Sequence, residues 1–275
     1  MQNTPTIGFI GAGNMAYALV SGLINHGYAP EHLAMSDANA ELLSLRQDEF
    51  SLKVFKDNQQ LVEHCDVIVL AVKPQVLAEV CADIAEKVRK DQLLVSIAAG
   101  VHARDIDRWL GKGKAIVRTM PNTPALLGRG ITGLFANEQT TSTQQDIAQS
   151  IMRAVGKTIW VDTEDLLDAV TAVSGSGPAY FFLMIESMTK AGEVLGLDRD
   201  TAEKLSVETA LGAALMASES EDTPHELRKK VTSPNGTTQA AIESFQDQDF
   251  EFIVSHALSA AYQRAAELGA ELGDQ

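Results

Sequence analysis

Cysteine is nearly absent from this 275-residue chain: there are two, Cys65 and Cys81, and they form no CxxC pair. A disulfide framework is therefore not expected, and a reducing, cytoplasmic setting is. Basic residues are also scarce, 22 Lys and Arg against 37 Asp and Glu, for a formal charge of −15. A chain without a basic cluster cannot release counterions from nucleic acid, and an anionic membrane surface is excluded on the same ground. Any anionic ligand must be held locally, by backbone N–H groups, helix N-termini or a few placed side chains. Long apolar runs are missing too. The longest, Ala169 to Ile185, is broken by Ser174-Gly175-Ser176-Gly177-Pro178, whereas a membrane span takes about 20 unbroken residues. The N-terminus has no basic stretch of signal-peptide type and runs almost directly into Ile7-Gly8-Phe9-Ile10. The 6 histidines are spread so widely that no His-x-x-x-His pair exists, and no metal site is expected.

What remains is an ordinary globular balance, 45% hydrophobic and 21% charged, in a length that suits one large or two modest domains. Through residue 162 short apolar runs alternate with amphipathic stretches. Thr6–Ile10, Leu33–Ser36, Asp66–Val72, Leu93–Ala98 and Ala115–Met120 read as strands. Val67 to Val72 is apolar at every position, as expected for a strand buried on both faces of a parallel sheet. The alternation predicts a doubly wound, Rossmann-like α/β domain over residues 1–162. Thr132–Ala136 and Thr158–Val161, around a helix Thr143–Val155, close it.

From residue 163 to 275 the apolar spacing is helical throughout, which predicts an all-α second domain. Ser176 as a cap and Pro178 in the first turn start one of its helices. That helix continues as Ala179-Tyr180-Phe181-Phe182-Leu183-Met184-Ile185, apolar on every side. A helix of this kind is surrounded by others. Those others come from a self-sufficient bundle or from a partner subunit.

Ile7-Gly8-Phe9-Ile10-Gly11-Ala12-Gly13-Asn14-Met15-Ala16 is a strand, a Gly-x-Gly-x-x-Ala turn and the start of a helix. Gly11 permits the tight turn, Gly13 lets backbone approach a pyrophosphate, and Ala16 is small enough for helix to pack on strand. The helix N-terminus then offers unpaired N–H groups to the phosphates. The tip of the second strand, Met35-Ser36-Asp37-Ala38, should choose between NAD and NADP. It places serine first, an acid second and no arginine alongside, so it selects neither.

Four further stretches exceed a generic dinucleotide fold: Ala71-Val72-Lys73-Pro74-Gln75, Val117 to Ala125 (with Met120-Pro121-Asn122-Thr123-Pro124), Val173 to Tyr180, and Val231-Thr232-Ser233-Pro234-Asn235-Gly236-Thr237-Thr238. With the N-terminal turn, they closely resemble the pyrroline-5-carboxylate reductase family, over nearly the whole chain and in the expected order. The resemblance implies reduction of the C=N bond of L-1-pyrroline-5-carboxylate to L-proline, the last step of proline biosynthesis, with NADPH as cofactor and NADH as the alternative. It implies cofactor contacts at Gly11, Ala12, Gly13, Asn14, Met15, Ser36, Asn58, Ala71, Lys73 and Ala99. Substrate contacts fall on Glu164, Ser233, Gly236, Thr237 and Thr238. A homodimer with interlocked helical domains, often assembled further into rings, is also implied.

The chemistry asks for little. A protonated imine is already an electrophile, so positioning and exclusion of water suffice. This agrees with the lack of any Ser-His-Asp, Cys-His or metal constellation. In Ser233 to Thr238, Pro234 stiffens the turn, Gly236 allows close approach, and the following helix presents N–H groups to a carboxylate. The Thr238 hydroxyl is then the candidate catalytic group at the ring nitrogen. By position alone Lys73 faces cofactor or solvent, Arg118 is structural, and Glu164 is a first-turn helix residue. The two prolines near Asn122 would fix the floor of the nicotinamide pocket. Two rival readings are a β-hydroxyacid dehydrogenase and a nonenzymatic dinucleotide-binding regulator. The first needs a lysine four positions after Gly177, and that position is Phe181.

Overall fold

A computed structural model describes residues 4–273. By compactness the chain divides into two units, one ending at Ser176 but taking in the chain from Ala261 onward, the other Gly177–Ala260. The first division lies beyond residue 162, where strands give way to helices in the sequence.

In the first unit the strands are β1 (Ile7–Ile10), β2 (Leu33–Ser36), β3 (Lys53–Phe55), β4 (Val67–Leu70), β5 (Leu93–Ser96), β6 (Ala115–Met120), β7 (Gly130–Ala136) and β8 (Gly156–Trp160). They form one sheet in the order β3-β2-β1-β4-β5-β6-β7-β8. The strands from β3 through β6 pair in parallel, β7 runs antiparallel to β6, and β8 is parallel to β7. The chain leaves β1 for β2 on one side and later returns to β4 on the other, so strand order reverses at β1, where open α/β sheets bind ligands.

Helices cover both faces, which is why the strands read as continuous apolar runs. Val67 and Val69 pack with Leu19 and Val20 of α1 (Asn14–Asn25). Ile68 and Leu70 pack with Leu61 of α3 (Asn58–His64) and Leu77 and Ile84 of α4 (Leu77–Ile84), counting α2 as Ala40–Phe50. Then come α5 (Ala103–Trp109) and α6 (Ser142–Arg153), the latter crossing between β7 and β8. The strand β3 has only three residues and sits at the sheet edge beside β2. Its Lys-Val-Phe carries no pattern long enough to announce a strand.

The helix expected after Ser176 does begin at Gly177, but not from a free helix end. The chain is already helical in α7 (Leu166–Val170) and passes through a π turn, Thr171–Gly175, into α8 (Gly177–Val194). Ser176 lies in the right-handed helical region (φ −84°, ψ −19°) and its N–H donates to Thr171 O at 2.8 Å, so it closes the π turn and is no N-cap of α8.

The second unit holds α8, α9 (Arg199–Glu219), α10 (Pro224–Lys230), α11 (Thr237–Asp247) and the start of α12 (Phe250–Gly273). Here the apolar residues are largely uncovered. Phe181, Phe182 and Leu183 are 68%, 65% and 63% exposed, although this is the segment whose composition demands burial. No helix among the described residues is long and apolar enough to cross a membrane.

Candidate active site

The expected cofactor residues of the first unit gather at the carboxyl ends of its parallel strands. The turn Gly11–Gly13 follows β1, Ser36 ends β2, Ala71 and Lys73 follow β4, and Ala99 follows β5. Gly11 has φ +106°, and a Cβ there would stand 2.5 Å from the carbonyl oxygen of Ala71. Both the left-handed turn and the neighbouring strand therefore exclude a side chain. A Cβ at Gly13 would meet nothing within 4 Å, so the space over the turn is open. The first helical hydrogen bond of α1 is Tyr17 N–H to Gly13 O at 2.9 Å. The N–H groups of Asn14, Met15 and Ala16 precede it, and no acid occupies that first turn. Open space, free donors and the absence of an acid from the first turn of α1 fit a pyrophosphate.

Ser36 is 1% exposed and donates from Oγ to Asn58 Oδ1 at 2.8 Å, joining two expected cofactor residues. Lys73 is exposed at the strand end, and Ala71 and Ala99 are half-buried. Asp37 turns inward: Oδ2 accepts from the Ala12 N–H at 2.7 Å, and Oδ1 from the Asn39 N–H at 2.7 Å. Arg46 on α2 also reaches the turn, its Nε 3.4 Å from Ala12 O. Sequence adjacency missed Arg46 because two turns of helix separate it from the strand tip.

The carboxyl ends of β5 and β6 carry a second constellation. Glu164 Oε1 accepts from the Ala103 N–H, the first of α5, at 2.5 Å and from Arg118 at 2.8 Å. His102 Nδ1 stands 3.7 Å away. Burial alone would raise the Glu164 carboxyl, but His102, Arg118 and the Ala103 N–H outweigh it and bring it to about 2. With His102 beyond direct hydrogen-bond reach, the two closer donors carry most of that effect. Glu164 is thus ionised. Its dipole partner is the N-terminus of α5, not that of its own helix. Arg118, only 5% exposed at its side chain, is held as a structural cation.

Asn122 went unrecognised in the sequence, and it joins two of the motifs. Pro178 has no N–H, so the carbonyl of Ser174, four residues back, loses its helical donor. Asn122 Nδ2 supplies one at 3.1 Å while its Oδ1 accepts from the Ile131 N–H at 3.0 Å. A Cβ at Gly175 would lie 2.4 Å from the Met120 methyl, so glycine there lets the loop after β6 close on the π turn. The glycine at 175 thus serves packing, since a side chain there would displace the end of Met120.

In the second unit, Thr232–Thr238 forms a tight turn. Asn235 adopts φ +59° with its N–H on Gln239 Oε1 at 2.7 Å, and Gly236 caps α11 in an extended conformation. The first helical bond of α11 is Ala240 N–H to Gly236 O at 3.2 Å. The N–H groups of Thr237, Thr238 and Gln239 therefore precede it, with no acid in the turn. Ser233 and Thr237 are exposed, and Gly236 and Thr238 half-buried. The expected substrate contacts are thus split between units: Glu164 in the first, Ser233 to Thr238 in the second.

Residues 164–268 match the family model of pyrroline-5-carboxylate reductase dimerisation, and residues 6–100 that of NADP oxidoreductase, coenzyme F420-dependent. The pyrroline-5-carboxylate reductase of Pseudomonas aeruginosa is 52% identical over 272 residues, covering 99% of this chain and 100% of that protein. The chain belongs to the pyrroline-5-carboxylate reductase family. Members are NAD(P)H-dependent oxidoreductases acting on a C=N bond. A pyrroline-5-carboxylate reductase structure from Coxiella burnetii matches with a TM-score of 0.92 at 45% identity, covering 97% of this chain and 99% of that one. A Plasmodium falciparum pyrroline carboxylate reductase, crystallised with NADP bound, matches with a TM-score of 0.85 at 31% identity, covering 97% and 98%.

Proposed function

We propose that this chain reduces L-1-pyrroline-5-carboxylate to L-proline, closing proline biosynthesis in the cytoplasm. The free N–H groups at the start of α11 carry this reading. They stand behind a turn whose hydroxyls and glycine leave room for a small carboxylate, with no acid in the first turn of the helix. In its bound state NAD(P)H would supply a hydride to the imine carbon. The Gly11–Met15 turn, Ser36, Asn58, Ala71, Lys73 and Ala99 would hold and orient it. Ser233, Gly236 and Thr237 grip the substrate carboxylate, and the Thr238 hydroxyl bonds the ring nitrogen, where the proton is gained. Glu164, the remaining expected substrate contact, is kept ionised by Arg118 and the Ala103 N–H.

The functional unit is a homodimer, with rings of dimers as a further level. The bare faces of Phe181, Phe182 and Leu183 support the first. A cytoplasmic setting is supported by Cys65 and Cys81. They are unpaired and buried, and burial pushes both thiols up to about 12, where they are inert. Phe181 offers no amine for the alcohol chemistry of a β-hydroxyacid dehydrogenase.

Substituting Thr238→Ala tests the assignment by steady-state kinetics. A fall in kcat of about 10²-fold or more, with cofactor affinity unchanged, is expected. Unaltered turnover would remove Thr238 from the mechanism.

A further inference from the structure

Glu164 is held by one oxygen only. Its Oε1 accepts from the Ala103 N–H at 2.5 Å and from Arg118 Nη1 at 2.8 Å, and His102 Nδ1 stands 3.7 Å from the same atom. Oε2 bonds none of the described residues. The one buried side-chain polar atom without a partner among those residues is Trp109 Nε1, so Oε2, on a side chain 18% exposed, is reached by solvent. An arginine beside a carboxylate commonly takes both oxygens in a fork, and here the fork is not made.

The donors on Oε1 are themselves fixed. Arg118 stands on β6 between β5 and β7, opposite Ser96 and Phe135, and its side chain is buried. Ala103 opens α5, and its N–H moves only with that helix. Two fixed donors on one atom leave the carboxylate little freedom, and Oε2 is the atom it has left to offer.

We propose that Arg118 and Ala103 are positioning residues for the reaction, holding Glu164 by Oε1 so that Oε2 alone meets the substrate. The proposal rests on the reading of Glu164 as a substrate contact. It adds to the structural role of Arg118 a part in catalysis exercised through Glu164.

Steady-state kinetics of the full-length protein, with L-1-pyrroline-5-carboxylate varied and NADPH saturating, test it in wild type, Glu164→Gln, Arg118→Met, Arg118→Lys and Ala103→Pro. Proline suits position 103, the first of a helix, because His102 ahead of it is already extended (φ −75°, ψ 149°). It deletes an N–H that no helical bond uses. Glu164→Gln should raise KM for the imine by about tenfold or more. Arg118→Met and Ala103→Pro should each raise it by about threefold or more. The NADPH dissociation constant, from calorimetric titration, should stay unchanged, and Arg118→Lys should recover part of the loss. A merely structural role would lower the amount of folded protein, and with it kcat, and leave KM where it was. With KM raised in Glu164→Gln, an unchanged KM in either folded positioning variant would overturn the proposal. An unchanged KM in Glu164→Gln would instead bring down the reading beneath it.

Discussion

Every residue of β1, β2, β4 and β5 is buried, whereas α10 and α11 bury none and α8 buries only Gly177 and Thr189. The same kinds of side chain meet opposite fates in the two units. In the first, each parallel strand is covered by helices on either face, most of them neighbours in sequence, so the apolar surface closes within one chain. In the second, helices rich in Phe, Leu and Met leave an open cavity of about 590 Å³ among Met184, Met188, Ile242, Phe245, Phe250 and Phe252. None of the turn residues 233–238 lines it. The α/β unit is finished by its own sequence, whereas the helical unit, which matches a dimerisation family model, leaves its apolar surface bare.

The largest effect expected from breaking this contrast is at α8. Each buried Phe is worth about 1.5–3 kcal/mol, and Phe181→Asp with Phe182→Asp removes two on each copy while adding charge. Sedimentation velocity should show the assembly falling to monomers, with dinucleotide binding by the first unit retained. A variant that stays assembled would mean these rings face solvent.

Next in size is the ion pair inside the first unit. Arg118→Ala should destabilise by about 3–5 kcal/mol in urea denaturation, because it removes the cation bonded to the largely buried Glu164. The pair also sets an acid limit. Glu164 titrates at about 2 in the folded chain against an ordinary 4.5. Its contribution is thus complete above pH 4.5 and lost as pH falls toward 2, about 3 kcal/mol in all. Arg118→Ala should flatten that limb of the stability profile, and an unaltered limb would assign it to other carboxylates.

The smallest effect is at Asn122. Its replacement by Ala leaves the Ser174 carbonyl and the Ile131 N–H without partners, a loss of about 1–3 kcal/mol. Thermal unfolding measures it. No change would mean that water replaces the amide at both.

Periodicity and the glycine turn disclosed the sheet, its helices and the open turn after β1, because those depend on residues near one another in sequence. The strand β3 escaped because three residues show no period. The start of α8 was legible in Ser176-Gly177-Pro178, but the capping role of Ser176 was not, because the π turn that keeps the chain helical ahead of it leaves no sequence pattern. Arg46, Asn122 and the Arg118–Glu164 pair were hidden for a different reason. Each acts across 34 to 52 positions, and only the folded chain brings the partners together. The Thr238 turn was legible as chemistry, from proline, glycine and hydroxyls ahead of a helix, and its free donors are where that pattern puts them.

The most direct measurement follows NAD(P)H absorbance on adding L-1-pyrroline-5-carboxylate to the purified protein. The account predicts that absorbance falls and L-proline accumulates in equal amount. Cofactor that binds but is not consumed would contradict it and leave a dinucleotide-binding regulator in its place.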